Sequence, residues 1–350
     1  MHVRRFTGRR LAAPALALCV ALVPGVAQAA DTPWGESGEG DSKGGTKGGG
    51  GTIYAESKVQ VRTSGGKRTT KSGELTPANS NWTPPACWYE PAFSPKEIEA
   101  TVKAFRTLEN LPIIGGFGKL AGDVLDHRYK DGHPYKDYNR DKQGKGMFWA
   151  AVKNKNRLDD PEVNSCDRQP FWVDDNDTPD VPMAVSPKIL AEYAYDELPI
   201  PGTEIELAPE GETKVNLPTW AWLDRAKFKK VSVTASLPDT NISATTTARP
   251  VSLRIEPGTK DAETYPASGE CPIGKDGSIG EPWTRGKGKQ APPCGVKYLR
   301  SSGDGSYDLK ATVTWEISWT GTGSAGERLP DGEFGADQRV VVKEIQSINR

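Results

Sequence analysis

A short stretch of the sequence places one aromatic residue beside three cations. Trp283 is followed by Arg285, Lys287 and Lys289, in a segment that is rich in Gly and Pro and is flanked by two cysteines. Such a segment has little apolar surface to bury, and loops held on a rigid scaffold often carry binding residues. An indole next to cations can bind an anionic polymer or another protein. We therefore predict a binding loop here; the alternative is an indole that folds down over the end of the core.

Histidines and aspartates form the best candidate for metal binding or acid–base chemistry. The group contains His127, His133, Asp123, Asp126, Asp131 and Asp137. On a helix, Asp123 and His127 would share one face, and both residue types bind zinc. The spacing matches no established metal motif, however, and Arg128, Lys130 and Lys136 balance the acids. We interpret the group as a charged, solvated loop and predict no metal site.

A second acidic run resembles a calcium-binding loop. It contains Asp174, Asp175, Asp177 and Asp180. An EF-hand also requires a glycine within the loop and a terminal glutamate, and this run lacks both. The sequence therefore favours a polar turn.

Three segments resemble enzyme motifs but lack a required residue. In "GECPIGKD" at 269–276, Asp276 replaces the hydroxyl residue of a Walker A loop. "GTGSAG" at 321–326 follows a predicted strand, but the "ERLPDGEFG" after it cannot form the helix that holds a pyrophosphate. Ser278 and Ser324 lack the first glycine of a nucleophile elbow. We predict no catalytic residue and no cofactor.

The first 29 residues have the composition of a secretory signal peptide. Residues 1–10 contain four Arg and no acid, residues 11–26 are mainly apolar, and Ala27-Gln28-Ala29 matches a signal peptidase site. No later stretch reaches the roughly 18 apolar residues that a membrane-spanning helix needs. The sequence predicts a secreted or cell-wall-associated protein.

Four cysteines follow the predicted signal peptide, namely Cys87, Cys166, Cys271 and Cys294. An even number in an exported chain indicates two disulfides, with three possible connectivities. Proximity in sequence favours Cys271–Cys294, which leaves Cys87–Cys166. A zinc site is the competing interpretation, but the chain has no Cys-x-x-Cys spacing.

Composition limits the possible partners. The 350 residues include 45 bases and 46 acids, for a formal net charge of −1; removing the four arginines of the signal peptide leaves 41 − 46 = −5. Neither value indicates a polybasic surface, so we predict no nucleic-acid partner.

Nine of the seventeen residues at 35–51 are Gly, and we predict a disordered tether rich in Gly, Ser and Lys over 30–80.

Hydrophobic periodicity predicts a mixed helical subdomain over 81–199. Ser94, Pro95 and Glu97 have the types and order of a helix start, and apolar residues at helical spacing continue the helix to about Glu109. A second helix is predicted from Ser186-Pro187 to Leu198.

From about residue 203 the period changes to two. Six apolar residues alternate with six polar ones over 309–320, and this predicts a half-buried strand with Trp315 and Trp319 in the core. Further strands are predicted over 231–237, 251–255 and 340–348. With Pro and Gly between them, these strands predict an antiparallel β-sandwich over 200–350.

Several segments resemble uncharacterised exported proteins of high-GC Gram-positive bacteria. They are "VNLPTWAWLD", "VSVTAS", "ATTTARPVSLRI", "CGVKYLRSS", "YDLKATVTWEISWTGTG" and "VVVKEIQSIN". The order of a Thr-rich strand, a cysteine-bounded loop and "YDLKATVTW" also resembles a PKD-type immunoglobulin-like domain. The periodicity and the resemblance together predict a mainly β protein with a smaller α-containing part: an antiparallel immunoglobulin/PKD-like β-sandwich preceded by a short helical subdomain. It implies no particular activity.

Together these patterns predict an exported, non-enzymatic cell-envelope or extracellular protein that acts in binding, adhesion or assembly. Its partner would be a cell-wall polymer or another exported protein. The alternative is an envelope-acting hydrolase or a carbohydrate-binding accessory protein. Two carboxylates facing each other across a polar cleft would favour the alternative, whereas exposed loops would favour binding.

Overall fold

A computed structural model describes residues 52–66, 74–79, 81–108, 115–223, 228–274 and 277–345. The predicted signal peptide and most of the predicted tether lie outside this part of the chain. Within it, three α-helices form: α1 (Pro95–Leu108), α2 (Gly115–Tyr129) and α3 (Pro187–Asp196). No helix in these ranges is long and apolar enough to cross a membrane.

The described residues also form seventeen strands, which make up most of the regular structure. They are β1 (Tyr54–Ala55), β2 (Gln60–Ser64), β3 (Thr76–Pro77), β4 (Cys87–Phe93), β5 (Gly146–Lys153), β6 (Phe171–Asp174), β7 (Glu206–Ala208), β8 (Glu212–Lys214), β9 (Thr219–Trp222), β10 (Val231–Ser236), β11 (Ser243–Glu256), β12 (Ala262–Tyr265), β13 (Glu270–Pro272), β14 (Gly295–Tyr298), β15 (Tyr307–Gly321), β16 (Ser324–Arg328) and β17 (Gly332–Lys343).

The largest sheet contains nine strands, and its main path runs β2-β10-β11-β15-β17-β3. Its centre is β15, whose apolar residues are buried while the polar residues between them stay partly or fully exposed. This is the alternation predicted over 309–320. Trp315 and Trp319 are buried as expected. Strands β10 and β13 pair with the same edge of β11, β10 with residues 243–248 and β13 with residues 252–254.

Strand β11 is longer than predicted because it includes the Thr-rich segment before Pro250. Its register with β15 shifts between Pro250 and Ser252, so the strand absorbs the proline at an irregularity and continues. The Thr246 hydroxyl lies on the buried face and donates to the Ala191 carbonyl of α3 at 2.7 Å. The helix is thereby fixed to this sheet.

A four-stranded sheet of order β12-β14-β9-β7 shares a hydrophobic core with the large sheet. Tyr298 of β14 stacks on Tyr307 of β15, with 5.2 Å between ring centroids. Val296 and Val313, one from each sheet, are both fully buried in this core. The prediction of a mainly β chain with antiparallel sheets and a smaller helical part is confirmed; its immunoglobulin or PKD identity and the boundary at residue 200 stay predictions.

A second four-stranded sheet, β1-β5-β4 with β6 beside β5, is covered by α1 and α2. Ile98 and Val102 of α1 and Tyr129 of α2 are fully buried against Phe148 of β5. Helix α2 was not predicted, because its sequence contains four glycines and glycine lowers helix propensity by about 1 kcal/mol per residue.

Both predicted helix starts are confirmed. The Glu97 amide donates to the Ser94 hydroxyl at 3.3 Å, and the Glu97 carboxylate accepts from the Ser94 amide at 2.7 Å. These two bonds make up a capping box. At α3, the Ser186 hydroxyl accepts from the Ile189 amide at 3.2 Å. Helix α3 ends earlier than expected, at Asp196, and the expected end of α1 at Glu109 lies outside the described residues.

Within the predicted tether, the described residues 52–66 and 74–79 contain the short strands β1, β2 and β3. Strand β1 pairs with β5 in one sheet and β2 pairs with β10 in another, so this segment joins two sheets. The fully buried Glu90 holds this segment at the point where it passes from one sheet to the other. Its carboxylate accepts hydrogen bonds from the Ser57 hydroxyl (3.0 Å), the Lys58 amide (2.5 Å) and the Trp88 indole (2.8 Å). Burial raises the pKa of Glu90.

Replacing Glu90 tests whether this carboxylate holds the segment in place. We expect Glu90→Ala to lower the free energy of unfolding by about 3 kcal/mol, because it leaves three donors without their acceptor. Glu90→Gln should cost less, since it keeps one acceptor oxygen. Glu56→Ala removes an exposed acid of the same segment and should change stability by less than about 0.5 kcal/mol. Urea unfolding measures all three; equal, small effects would contradict the assignment.

Candidate functional site

The predicted binding loop lies between β13 of the nine-stranded sheet and β14 of the four-stranded sheet that shares its core. Both predicted disulfides are confirmed: Cys87–Cys166, and Cys271–Cys294 with its Cα atoms 5.4 Å apart. Cys271 belongs to β13 of the large sheet, and Cys294 immediately precedes β14 of the small one. The second disulfide therefore joins the two sheets at the base of the loop.

Backbone contacts with β9 fix both ends of the segment. Gly280 forms a β-bridge with Trp222, and the Ala221 amide donates to the Cys294 carbonyl at 2.9 Å. Gly280 has φ +72°, and a Cβ there would lie 2.2 Å from the Ala221 carbonyl oxygen. A Cβ on Gly295 would lie 2.1 Å from a Thr219 carbonyl oxygen. Only glycine permits these two close approaches.

Between these ends, residues 281–293 form an exposed loop without strand or helix. Two backbone hydrogen bonds form turns within the loop. The Lys287 amide donates to the Thr284 carbonyl at 3.1 Å, and the Gln290 amide donates to the Lys287 carbonyl at 2.9 Å. The Lys287 ammonium pairs with Glu281 and lies 5.2 Å from the ring centroid of the buried Trp220. Lys287 thus holds the loop against the small sheet.

The other three predicted residues of the loop face solvent. Trp283 is 43% exposed, whereas Trp315 in the core is fully buried. Arg285 and Lys289 are exposed as well. All four predicted residues lie in one loop. Lys287 differs from the other three because it contacts Glu281 and Trp220 within the protein. Sequence alone could not show this difference, because Trp220 is distant along the chain.

An open depression of about 440 Å³ lies at the base of the loop. The Cys271–Cys294 disulfide forms part of its wall, together with Ser278, Glu281 and Pro293. Its lining is part polar and part apolar, and it is open to solvent. It therefore differs from the enclosed pockets in which small molecules are usually bound.

Asp123, Asp126 and His127 of the histidine and aspartate group lie on α2 rather than in the predicted solvated loop. Asp126 is buried and lies 2.5 Å from the Arg106 guanidinium and 3.8 Å from the Lys130 ammonium. His127 and His133 stack on each other at the surface, with 4.3 Å between ring centroids. Over the described residues, no group of three or more His, Cys, Asp or Glu side chains has a metal-binding arrangement.

The remaining motif candidates lie in turns and hairpins. The acidic run begins at the end of β6, where the Asp174 carboxylate accepts from the Trp172 indole at 2.9 Å. The "GTGSAG" segment at 321–326 connects β15 to β16 and is followed by a strand rather than a helix. Lys275 and Asp276 of the Walker-like segment lie outside the described residues.

A polar cluster that the sequence did not indicate lies at the end of α3. The Asn154 amide donates to the Asp196 carboxylate at 3.0 Å, and burial raises the pKa of Asp196 to about 6. The adjacent Glu197 is buried, accepting from the Asn156 amide at 2.9 Å and pairing with the Lys155 ammonium at 3.1 Å. A second open depression, of about 320 Å³, borders the cluster; its lining residues are Glu74, Asn156, Arg157, Asp159 and Asp160.

Comparison of the chain with protein-family models, with curated proteins and with solved structures finds no match in any of the three. The function must therefore be argued from the site itself.

The exposure of Trp283 leads to a stability prediction. We expect Trp283→Ala to lower the free energy of unfolding by less than about 1 kcal/mol, because its indole is exposed and contributes little to the packing of the core. Trp315→Ala, which empties a fully buried position, should cost about 3–5 kcal/mol. Thermal unfolding of the two variants makes the comparison. A large loss of stability in Trp283→Ala would identify the indole as a lid on the core.

The raised pKa of Asp196 leads to a pH prediction. Because the folded protein holds this proton more tightly than the unfolded chain, its stability should fall as pH rises from 3.8 to about 6. Asp196→Asn cannot titrate, so it should lack this part of the fall and be more stable at pH 7 by up to about 3 kcal/mol. Asp159→Asn, at an exposed position of the neighbouring depression, is the control. Identical urea-unfolding profiles for the three proteins at pH 4–7 would contradict this assignment.

Proposed function

We propose that this protein is exported and acts without catalysis, binding a cell-wall polymer or another exported protein in the cell envelope or outside the cell. The observation that carries the proposal is the 281–293 loop, which presents Trp283, Arg285 and Lys289 to solvent from a base fixed by a disulfide. An exposed aromatic residue beside unburied cations, on a rigid support, is typical of a binding surface.

The proposed location rests on two further observations. Residues 1–29 have the pattern of a secretory signal peptide. All four cysteines that follow it are paired in disulfides, and such bonds persist in oxidising compartments. The resemblance to exported proteins of high-GC Gram-positive bacteria agrees with this location.

The alternative of an envelope-acting hydrolase is favoured by one observation, the raised pKa of Asp196 beside a polar depression. A carboxyl group that titrates near neutral pH can act as a general acid. Asp196 is not among the residues that line the depression, however, and its carboxylate accepts from Asn154 inside the protein. We therefore prefer the binding function.

Cosedimentation with the envelope fraction of the cells that export the protein tests the proposal. We expect the wild-type protein to pellet with this material and the double variant Arg285→Glu/Lys289→Glu to stay in the supernatant. Binding should weaken as salt rises, because exposed charges are screened beyond about 8 Å at physiological ionic strength.

The double variant Lys136→Glu/Lys260→Glu is the matched control, since it makes the same change in net charge at exposed positions outside the loop. It should pellet like the wild-type protein. Equal binding by the loop variant and the wild-type protein would refute the proposal. Equal loss of binding in the two double variants would also refute it, because net charge rather than the loop would then control binding.

A further inference from the structure

We infer that the ligand of the 281–293 loop is an acidic polysaccharide. The indole of Trp283 would stack on the apolar face of a sugar ring, and Arg285 and Lys289 would pair with carboxylate groups along the same polymer. This inference rests on the proposed binding function and specifies its partner.

The first argument is the distribution of charge within the loop. Glu281 is the acidic side chain of residues 281–293, and Lys287 pairs with it. Lys287 also lies over the Trp220 ring, so its charge faces the protein. Arg285 and Lys289 remain as exposed cations. The outward charge of the loop is therefore positive although the whole chain is slightly acidic, and this local excess selects an anionic ligand.

The second argument is the exposed indole. Electrostatic attraction alone requires no aromatic residue, yet Trp283 leaves 43% of its surface in water instead of joining the core. A flat apolar ring in the same exposed loop as two cations complements a ligand that has both an apolar face and negative groups. A pyranose ring with a carboxylate has both, because its axial C–H bonds form an apolar face. An acidic peptide lacks such a repeating flat face.

The third argument is the shape of the surface. Gly286 and Gly288 stand between the cations, and a Cβ at either position would contact no other atom within 4 Å. The loop therefore projects into open space, and the depression of about 440 Å³ at its base is open as well. A surface of this form can contact several units of an extended chain, whereas a small ligand would need an enclosing pocket.

Binding to three immobilised probes tests the inference: polygalacturonate as an acidic polysaccharide, polyglutamate as an acidic polymer without sugar rings, and dextran as a neutral polysaccharide. We expect the tightest binding to polygalacturonate. Trp283→Ala should weaken that binding about tenfold, as the loss of one good stacking contact implies, and leave binding to polyglutamate unchanged. Arg285→Glu/Lys289→Glu should weaken binding to both acidic polymers.

Other results would overturn either the polysaccharide assignment or the proposed binding function. Equal binding of polyglutamate and polygalacturonate, with no effect of Trp283→Ala, would overturn the polysaccharide assignment. Binding to dextran as tight as that to polygalacturonate would overturn the role of the two cations. If the loop variants fail to bind the envelope fraction but polygalacturonate is not preferred, the ligand class is wrong and the binding function stands. If the loop variants bind the envelope fraction like the wild-type protein, the binding function itself fails.

Discussion

The disulfide between Cys271 and Cys294 is the constraint on which the candidate site depends. It joins β13 of the nine-stranded sheet to the start of β14 in the neighbouring sheet, so it links the two layers at one end of their common core. Closing this loop should stabilise the fold by about 3.5 kcal/mol in the chain-entropy description. It also anchors the loop at Cys294, while the bridge between Gly280 and Trp222 holds the other end, so the 281–293 loop can consist mostly of exposed residues without losing its position.

The structure uses the same residue types for different purposes according to their surroundings. Trp315 fills the centre of the sandwich, whereas Trp283 extends from its end. Lys287 neutralises Glu281 and covers Trp220, whereas Lys289 faces solvent two residues later. The inward pairing of one cation fixes the loop, and this leaves its neighbours available for a partner. Binding surfaces on loops depend on such a division between residues that hold the backbone and residues that contact the ligand.

The fold was predictable where a pattern repeats. The alternation over 309–320 identified β15, and the order Ser-Pro-x-Glu at residues 94–97 identified the start of α1. The helix α2 and the continuation of β11 through Pro250 were not predictable, because tertiary packing outweighs the local preferences of glycine and proline there. The loop was visible as a composition of Trp, Gly and cations. The role of Lys287 and the raised pKa of Asp196 were not visible, since each depends on side chains that meet only in space.

The position of strands β1 and β2 has a consequence for the order of folding. Tyr54 pairs with Ala151, and Val61 pairs with Ala235, so the first described strands find their partners only in much later parts of the chain. Because a chain is synthesised from its N-terminus, this segment stays without its strand partners until β5 and β10 have been made. Pairings of this long range are slow to form and leave strand edges exposed in the meantime. The early segment can therefore associate with other chains or be cleaved by proteases until Glu90 and the two sheets enclose it.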